Sequence, residues 1–256
     1  MTSTLAFLGD FGGAFDFIFH SRESQAGGSR VGGAENLPLI AKHLEIVGLS
    51  MALAILVALP LGLLLGHTGR AAFLAISTSN VGRAVPSLAL IALFYAFLTS
   101  VPEFDIVVLA LALLAIPPIL TNTYVGVRQV SRDAVDAARG MGLSGAQVVR
   151  QVELPLALPL VFGGIRTSTV NVIATATIAP LIGVVTLGDP IISSTVYGRD
   201  GQIGASIVVA ALAVAAEVGL AAVQRAVTPT GLKLERGAPV RRLRPATTER
   251  RVQTVP

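Results

Sequence analysis

The stretch Ser131-Arg132-Asp133-Ala134-Val135-Asp136-Ala137-Ala138-Arg139-Gly140-Met141-Gly142-Leu143-Ser144-Gly145-Ala146-Gln147-Val148-Val149-Arg150-Gln151-Val152-Glu153-Leu154-Pro155 is a polar interruption with long apolar sequence on both sides. Its pattern predicts two short helices. Ser131 is placed to cap the first, and Asp133 in the first turn complements the helix dipole. Gly140 and Gly142 supply the backbone freedom that ends it. Ser144, with Gln147 three residues on, forms a capping-box pattern for the second helix. Pro155 and Pro159 close the segment and start the apolar run beyond it.

Working outward, five long apolar segments run at roughly 44–66, 73–98, 105–125, 160–187 and 203–224. Each exceeds what a soluble core helix usually needs and is long enough to cross a bilayer. Arg83 and Pro86 interrupt the start of the second. In lipid every backbone amide must find its partner within its own segment, so helices are expected. The runs are continuous, not alternating, which excludes an outer-membrane barrel. Composition agrees: of 256 residues, 53% are hydrophobic and 13% charged, with a mean hydropathy of +0.74, against about 25% charged in a soluble domain. The chain has no Cys, and His20, His43 and His67 fit no metal-ligand spacing, so no metal or cofactor is expected.

Charge sets the expected orientation. The segment 126–159 carries Arg128, Arg132, Arg139 and Arg150, the turn at 67–70 carries Arg70, and Arg225 leads into a tail with Lys233, Arg236, Arg241, Arg242, Arg244, Arg250 and Arg251. The loop at 99–104 has Glu103 and no Lys or Arg, and 188–202 is mixed. Positive charge thus follows spans one, three and five, which places the N-terminus outside and the C-terminus inside. The net charge of +4 belongs to that tail and those loops; no reading element accompanies it, so nucleic acid is not expected as a partner. Residues 1–43 carry no positive n-region, and Asp10 and Asp16 interrupt the apolar stretch, unlike a signal peptide. Phe7, Phe11, Phe15 and Phe19 recur every four residues, on one side of a helix. Two readings stand for this segment: an interfacial helix or a loose terminus. The organisation expected is an extracytoplasmic segment 1–43, a transmembrane domain 44–225 with its loop at 126–159, and a basic cytoplasmic tail 226–256.

The polar stretch resembles the loop that defines ABC-importer permeases: Glu-Ala-Ala, three residues, Gly, nine residues, Ile-x-Leu-Pro. Here Asp136, Ala137, Ala138, Gly142, Val152, Leu154 and Pro155 stand at those positions, with Asp for Glu and Val for Ile. The resemblance implies an all-α membrane protein of the ABC importer type I permease fold in a bacterial plasma membrane. It also implies that this loop docks into a cleft of a separate ABC ATPase subunit. Ala137 and Ala138 would permit close approach, and Gly142 a sharp turn. The chain itself has no Gly-x-x-x-x-Gly-Lys-Ser/Thr loop for nucleotide phosphates and no nucleophile paired with a base, so it reads as a non-enzymatic subunit.

Across most of 38–235 the text resembles the permeases for glycine betaine, choline and related osmoprotectants. The residues that carry this are Arg83-Ala84-Val85-Pro86-Ser87-Leu88-Ala89-Leu90, Ile116-Pro117-Pro118-Ile119-Leu120, Val152-Glu153-Leu154-Pro155-Leu156-Ala157-Leu158-Pro159, Gly163-Gly164-Ile165-Arg166 and Ile173-Ala174-Thr175-Ala176-Thr177. One departure is Val184-Val185-Thr186-Leu187-Gly188, where that branch has a Gly-rich turn. The resemblance implies an extracytoplasmic substrate-binding protein and an identical or homologous second permease as partners. With no Trp and three Tyr, the chain is a poor candidate for a tight aromatic cage around a quaternary ammonium, so affinity is expected in the binding protein. Rival readings are an ABC permease for another small solute such as an amino acid, and a secondary transporter or channel that works without ATP. Internal inverted repeats would favour the latter, and none is evident.

Two sets of intramembrane residues are candidates for function. Thr167, Asn171 and Thr175 lie at four-residue steps on one helical face; they read either as a translocation path or as hydrogen-bonding glue between helices. Arg166 and Glu217 lie at similar depth from the cytoplasmic side, which makes them a candidate intramembrane ion pair, structural or involved in transport.

Overall fold

The computed structural model describes residues 2–69 and 85–228. The chain begins with a helix, α1 (Thr2–Phe19), followed by a hairpin of β1 (Ser21–Glu23) and β2 (Arg30–Gly32), antiparallel with Ser21 opposite Gly32 and Glu23 opposite Arg30. A 3-10 turn, Gly33–Glu35, leads into α2 (Asn36–Thr68). Then come α3 (Ser87–Phe97), α4 (Glu103–Arg128), α5 (Arg132–Gly140) and α6 (Gly145–Val148). A π-helical turn, Val149–Glu153, continues into α7 (Leu154–Thr175) and a 3-10 segment, Ala176–Ile182. The last two helices are α8 (Gly188–Ile192) and α9 (Ser194–Val227).

Among the described residues four helical stretches have the length and apolarity of membrane spans: Gly33–Thr68, Glu103–Arg128, Gly145–Ile182 and Ser194–Val227. They correspond to the expected first, third, fourth and fifth segments. α3 is the described part of the expected second segment, whose beginning, with Arg83, lies outside the described residues, as do Arg70 of the preceding turn and residues 229–256 of the basic tail. α2, α4 and α9 overrun their apolar runs at both ends because helical hydrogen bonding continues where polarity rises: α2 begins at Asn36 and α9 at Ser194. α7 instead stops at Thr175 and continues as the 3-10 segment to Ile182, short of the expected end at 187.

α2 and α4 form the centre of the bundle; α7 packs on both, α3 on α4, and α9 on α7. The core is made by Ile46, Ala54 and Ala58 of α2, Val107, Leu111 and Ile119 of α4, and Val172 and Ile173 of α7. Large apolar side chains elsewhere point outward (Leu56, Leu64, Leu113, Val214), the inverse of a water-soluble surface and suited to lipid. Two features bring helices together where lipid offers no hydrophobic drive. The first is small residues: a Cβ on Gly62 would stand 2.6 Å from Thr123 Cβ, and one on Gly66 2.6 Å from Val127 Cβ, so α2 lies almost backbone to side chain on α4. The second is side-chain-to-carbonyl bonding. Ser50 donates to Val108 O at 3.1 Å, Ser168 to Ala115 O at 2.9 Å, and the buried His43 contacts Ile173 O through Nε2 at 3.1 Å.

The two ends of the bundle differ. At one, the hairpin grips the start of α9: Gln25 N–H donates to Val196 O at 2.9 Å beside a break in the helix at Gly198, whose φ is 70°. Arg22 bonds Asp200 at 2.7 Å and stacks over Phe17, and Tyr197 OH donates to Asp189 at 2.7 Å. α1 packs on α9 through the fully buried Ala14 and Phe17, while Phe11, Phe15 and Phe19 are exposed. The phenylalanine periodicity therefore marks the side of α1 turned away from the protein; the side chain of Phe7 lies outside the described set. At the other end, α2, α4 and α9 finish and α5, α6 and the π-turn gather under them.

Candidate functional site

The site is built at that second end, by the polar segment between α4 and α7. Ser131 occupies the N-cap position of α5 with extended backbone (φ −54°, ψ 130°), but its side chain makes no capping bond; the first turn is closed instead by Val135 N–H donating to Ser131 O at 3.2 Å. The expected hydroxyl cap is thus replaced by a backbone one. α5 ends as its glycines suggested, with the work done by one of them. Gly142 adopts φ 89°, a left-handed conformation that only glycine takes without strain, and lets Gly142 N–H reach Arg139 O and Leu143 N–H reach Ala138 O. α6 opens with its capping box, Ser144 N–H donating to Gln147 Oε1 at 2.7 Å.

This geometry sorts the motif residues into two sets. Ala138 and Val148 are buried, where α5 packs on α6 and on the π-turn. Asp136, Ala137, Met141 and Gly142 face outward, Met141 with 76% of its surface exposed. Together they make an exposed face of small residues followed by a sharp turn and a bare methionine. Val152, Leu154 and Pro155 lie behind it, half-buried in the π-turn and the first turn of α7. Pro155 has no N–H and its ring crowds the preceding turn. The chain accommodates it with the wider π-turn, in which Leu154 N–H reaches back to Val149 O.

Two residues that sequence reasoning passed over stand behind this surface. Glu153 is 5% exposed, and both its carboxylate oxygens lie against Nδ1 of His67, at 3.0 and 2.8 Å. A carboxylate accepts only, so Nδ1 carries the proton. His67 lies in the last turn of α2, 86 positions earlier in sequence. The signal for Glu153 was its place as the acid just before the apolar run Leu154–Leu160; nothing local pointed to His67.

Further along α7, Thr167 and Asn171 are exposed and Thr175 partly so, in a row directly beside the buried Gly164, Ser168 and Val172 and so at the edge of the face that α7 buries. The hydroxyls of Thr167 and Thr175 bond carbonyls of their own helix, Gly163 O at 3.0 Å and Asn171 O at 2.7 Å. They are thus not used as glue within this chain, and the stripe is offered outward. Arg166 donates to Glu217 of α9 and, at 3.0 Å, to Gln224 Oε1, whose amide in turn donates to Pro159 O at 3.2 Å. At the hairpin end, a pocket of about 510 Å³ is lined by Pro38, Leu39, Lys42, Glu103, Phe104 and Val184, with the Lys42 ammonium 4.2 Å from the Phe104 ring centroid. The Val184-Val185 departure falls at this opening. Among the described residues no cluster of His, Asp or Glu is arranged to hold a metal ion.

Comparison with known proteins gives a consistent set of likenesses. The family described as "binding-protein-dependent transport system inner membrane component" matches residues 44–229. The chain is 38% identical over 204 residues to the glycine betaine/carnitine/choline transport system permease of Bacillus subtilis, covering 78% of this chain and 92% of the relative. It is 36% identical over 195 residues to a carnitine transport permease of Listeria monocytogenes, covering 75% and 88%. Among solved structures, a methionine ABC transporter in an inward-facing conformation matches with a TM-score of 0.65 at 20% identity, over 75% of this chain and 96% of the other; at that identity the likeness is one of fold.

Proposed function

We propose, for a chain that belongs to the binding-protein-dependent transport inner-membrane component family, that it is the permease subunit of an ATP-driven importer for quaternary-ammonium osmoprotectants of the glycine betaine, choline and carnitine type. The observation that carries the substrate class is 38% identity across nearly the whole length of a relative named for those three solutes. The observation that carries the mechanism is the outward-facing surface of Asp136, Ala137, Met141 and Gly142 on a helix pair beneath the bundle.

In this reading the arginine-bearing end is cytoplasmic and the hairpin end faces out, as the distribution of positive charge requires. A separate ATPase subunit receives the Asp136–Gly142 surface. A second permease, identical or homologous, covers the Thr167, Asn171, Thr175 stripe, and the substrate path runs between the two stripes. An extracytoplasmic binding protein delivers the solute at the hairpin end. The Thr167 and Thr175 hydroxyls are satisfied within α7, whereas the exposed Asn171 amide would be costly against lipid and is met by a partner or by water. Arg166 and Glu217 neutralise each other between α7 and α9 and keep those helices in register. ATP hydrolysis resides in the partner, since this chain has no phosphate-binding loop.

Uptake of labelled glycine betaine, choline, carnitine and methionine tests this. The host lacks its own osmolyte importers and expresses the chain with its binding protein and ATPase, the latter with and without its phosphate-binding lysine. Uptake of a quaternary ammonium solute that vanishes with the lysine supports the reading. Methionine uptake alone would keep the class and overturn the substrate; uptake indifferent to the lysine would overturn the class.

A further inference from the structure

The α5–α6 pair is joined to the bundle by the chain at both ends: α4 runs into α5 through residues 129–131, and α6 runs through the π-turn into α7 without a break. α2 has no such chain link to the pair, and meets it through the contact between Glu153 and His67. Glu153 closes the π-turn and is almost fully buried. His67 is held on two sides: its Nδ1 meets the carboxylate at 2.8 Å, and its Nε2 lies 3.4 Å from where a Cβ on Gly145 would stand. The imidazole therefore sits between the start of α6 and the end of the π-turn, while its backbone belongs to α2. One residue before it, Gly66 seats α2 on Val127 of α4, so whatever moves the end of α2 moves α4 with it.

We propose that the His67–Glu153 bond is a further transmission joint, through which movement of the α5–α6 helix pair reaches α2 directly while the covalent paths drive α4 and α7. Both residues act by positioning. The inference rests on the reading of the α5–α6 surface as the ATPase dock. Physically, a buried carboxylate with one strong donor is a stiff attachment: breaking it strands a charged acceptor in a confined pocket. A small shift of the helix pair is then less costly if α2 follows than if the bond parts. Without the joint, ATPase closure would still pull α4 and α7, but the end of α2 would lag. Hydrolysis would proceed with fewer solute molecules moved per ATP.

The test is solute transported per ATP hydrolysed by the whole importer, reconstituted in proteoliposomes, with co-purification of the ATPase as the assembly check. His67→Ala is expected to keep the ATPase bound and its hydrolysis running while transport per ATP falls about fivefold. His67→Gln, whose amide can still donate to the carboxylate, is expected to regain more than half of that loss. The double variant His67→Met with Glu153→Met removes the bond without leaving a buried charge, so stability recovers as a hydrophobic replacement usually allows, yet transport per ATP stays low. Normal transport per ATP in the double variant, or in His67→Ala, would overturn the joint; if the double variant does not assemble, the contrast between the Ala and Gln variants decides. Uptake that survives loss of the ATPase's phosphate-binding lysine would instead overturn the dock on which the inference rests.

Discussion

Arg166 on α7 bonds Glu217 on α9, and the same guanidinium reaches Gln224 one helical stretch further along α9. Both partners are partly exposed, with 30% and 38% of their side-chain surface open, so in the membrane the bond's value depends on lipid, which raises the penalty of leaving either charge alone. The two singles are not equivalent. Glu217→Gln keeps an acceptor for the guanidinium and is expected to leave membrane levels near wild type. Arg166→Ala leaves the carboxylate facing lipid, and a fall of roughly twofold or more in membrane level is expected. Arg166→Met with Glu217→Met should recover most of that fall. Quantitative immunoblotting of membranes and thermal unfolding in detergent check this; a double variant as poor as Arg166→Ala would show that the pair does more than neutralise itself.

The seam between α2 and α4 yields a prediction about packing. A Cβ on Gly62 would meet Thr123 Cβ at 2.6 Å and Leu120 O at 3.0 Å, and Thr123 is fully buried with no room to withdraw. Gly62→Val is therefore expected to destabilise the bundle by about 1–3 kcal/mol, the range for overpacking a filled interior. Gly48→Ala on the same helix is the control, since a Cβ there meets nothing within 4 Å and alanine is the better helix former. A lowered detergent Tm for Gly62→Val with an unchanged or raised one for Gly48→Ala is the expected result; equal values would mean that α2 and α4 are not in such close contact.

Much of this architecture was legible in sequence because lipid imposes a one-dimensional rule: long apolar runs become helices wherever they fall. The capping box at Ser144 and the turn at Gly142 were legible for a related reason, since local backbone chemistry fixes them. What escaped was long-range. The hairpin at 21–32 draws its stability from Gln25 and Arg22 bonding α9, contacts some 170 residues away in sequence, and three-residue strands give no period to read. The His67–Glu153 bond is equally invisible, because which face of α2 meets the π-turn is decided by the Gly62 and Gly66 seam and by Pro155, not by either residue's neighbours. The Ser131 hydroxyl cap was expected from residue type alone, and residue type does not determine where a hydroxyl points.

Gly142 gives a prediction in which fold and coupling separate. Its φ of 89° is costly for any side chain, yet a Cβ there meets nothing within 4 Å. Replacement therefore strains one residue, by about 1–2 kcal/mol, without clashing inside the chain. Gly142→Asp is expected to reach the membrane at near-normal level and to lose ATP-driven uptake, because the added side chain projects from the surface proposed to enter the ATPase. Gly142→Ala carries the strain without the bulk or charge and should keep part of the uptake. Normal uptake by Gly142→Asp would show that the turn does not lie at the ATPase contact.

The outward stripe on α7 can be resolved into path or glue by chemistry, because the chain has no cysteine and any introduced thiol reports alone. Thr167, Asn171 and Thr175 would each be replaced by Cys in turn, with Ser168→Cys, fully buried behind Ala115 O, as the unreactive control. If the stripe lines a water-filled path, a membrane-impermeant thiol reagent labels the three positions, and the choice of substrate-loaded or ATP-bound state changes the labelling rate. If it is the seam between two permeases, oxidation links copies through the same positions, and labelling stays slow because the thiolate needs water to form. A path that runs along the seam predicts a gradient: Thr175, nearest the hairpin end, labels from outside, and Thr167, nearest the arginine-bearing end, cross-links. Labelling and cross-linking both absent at all three positions would turn the stripe toward lipid and remove it from the transport mechanism.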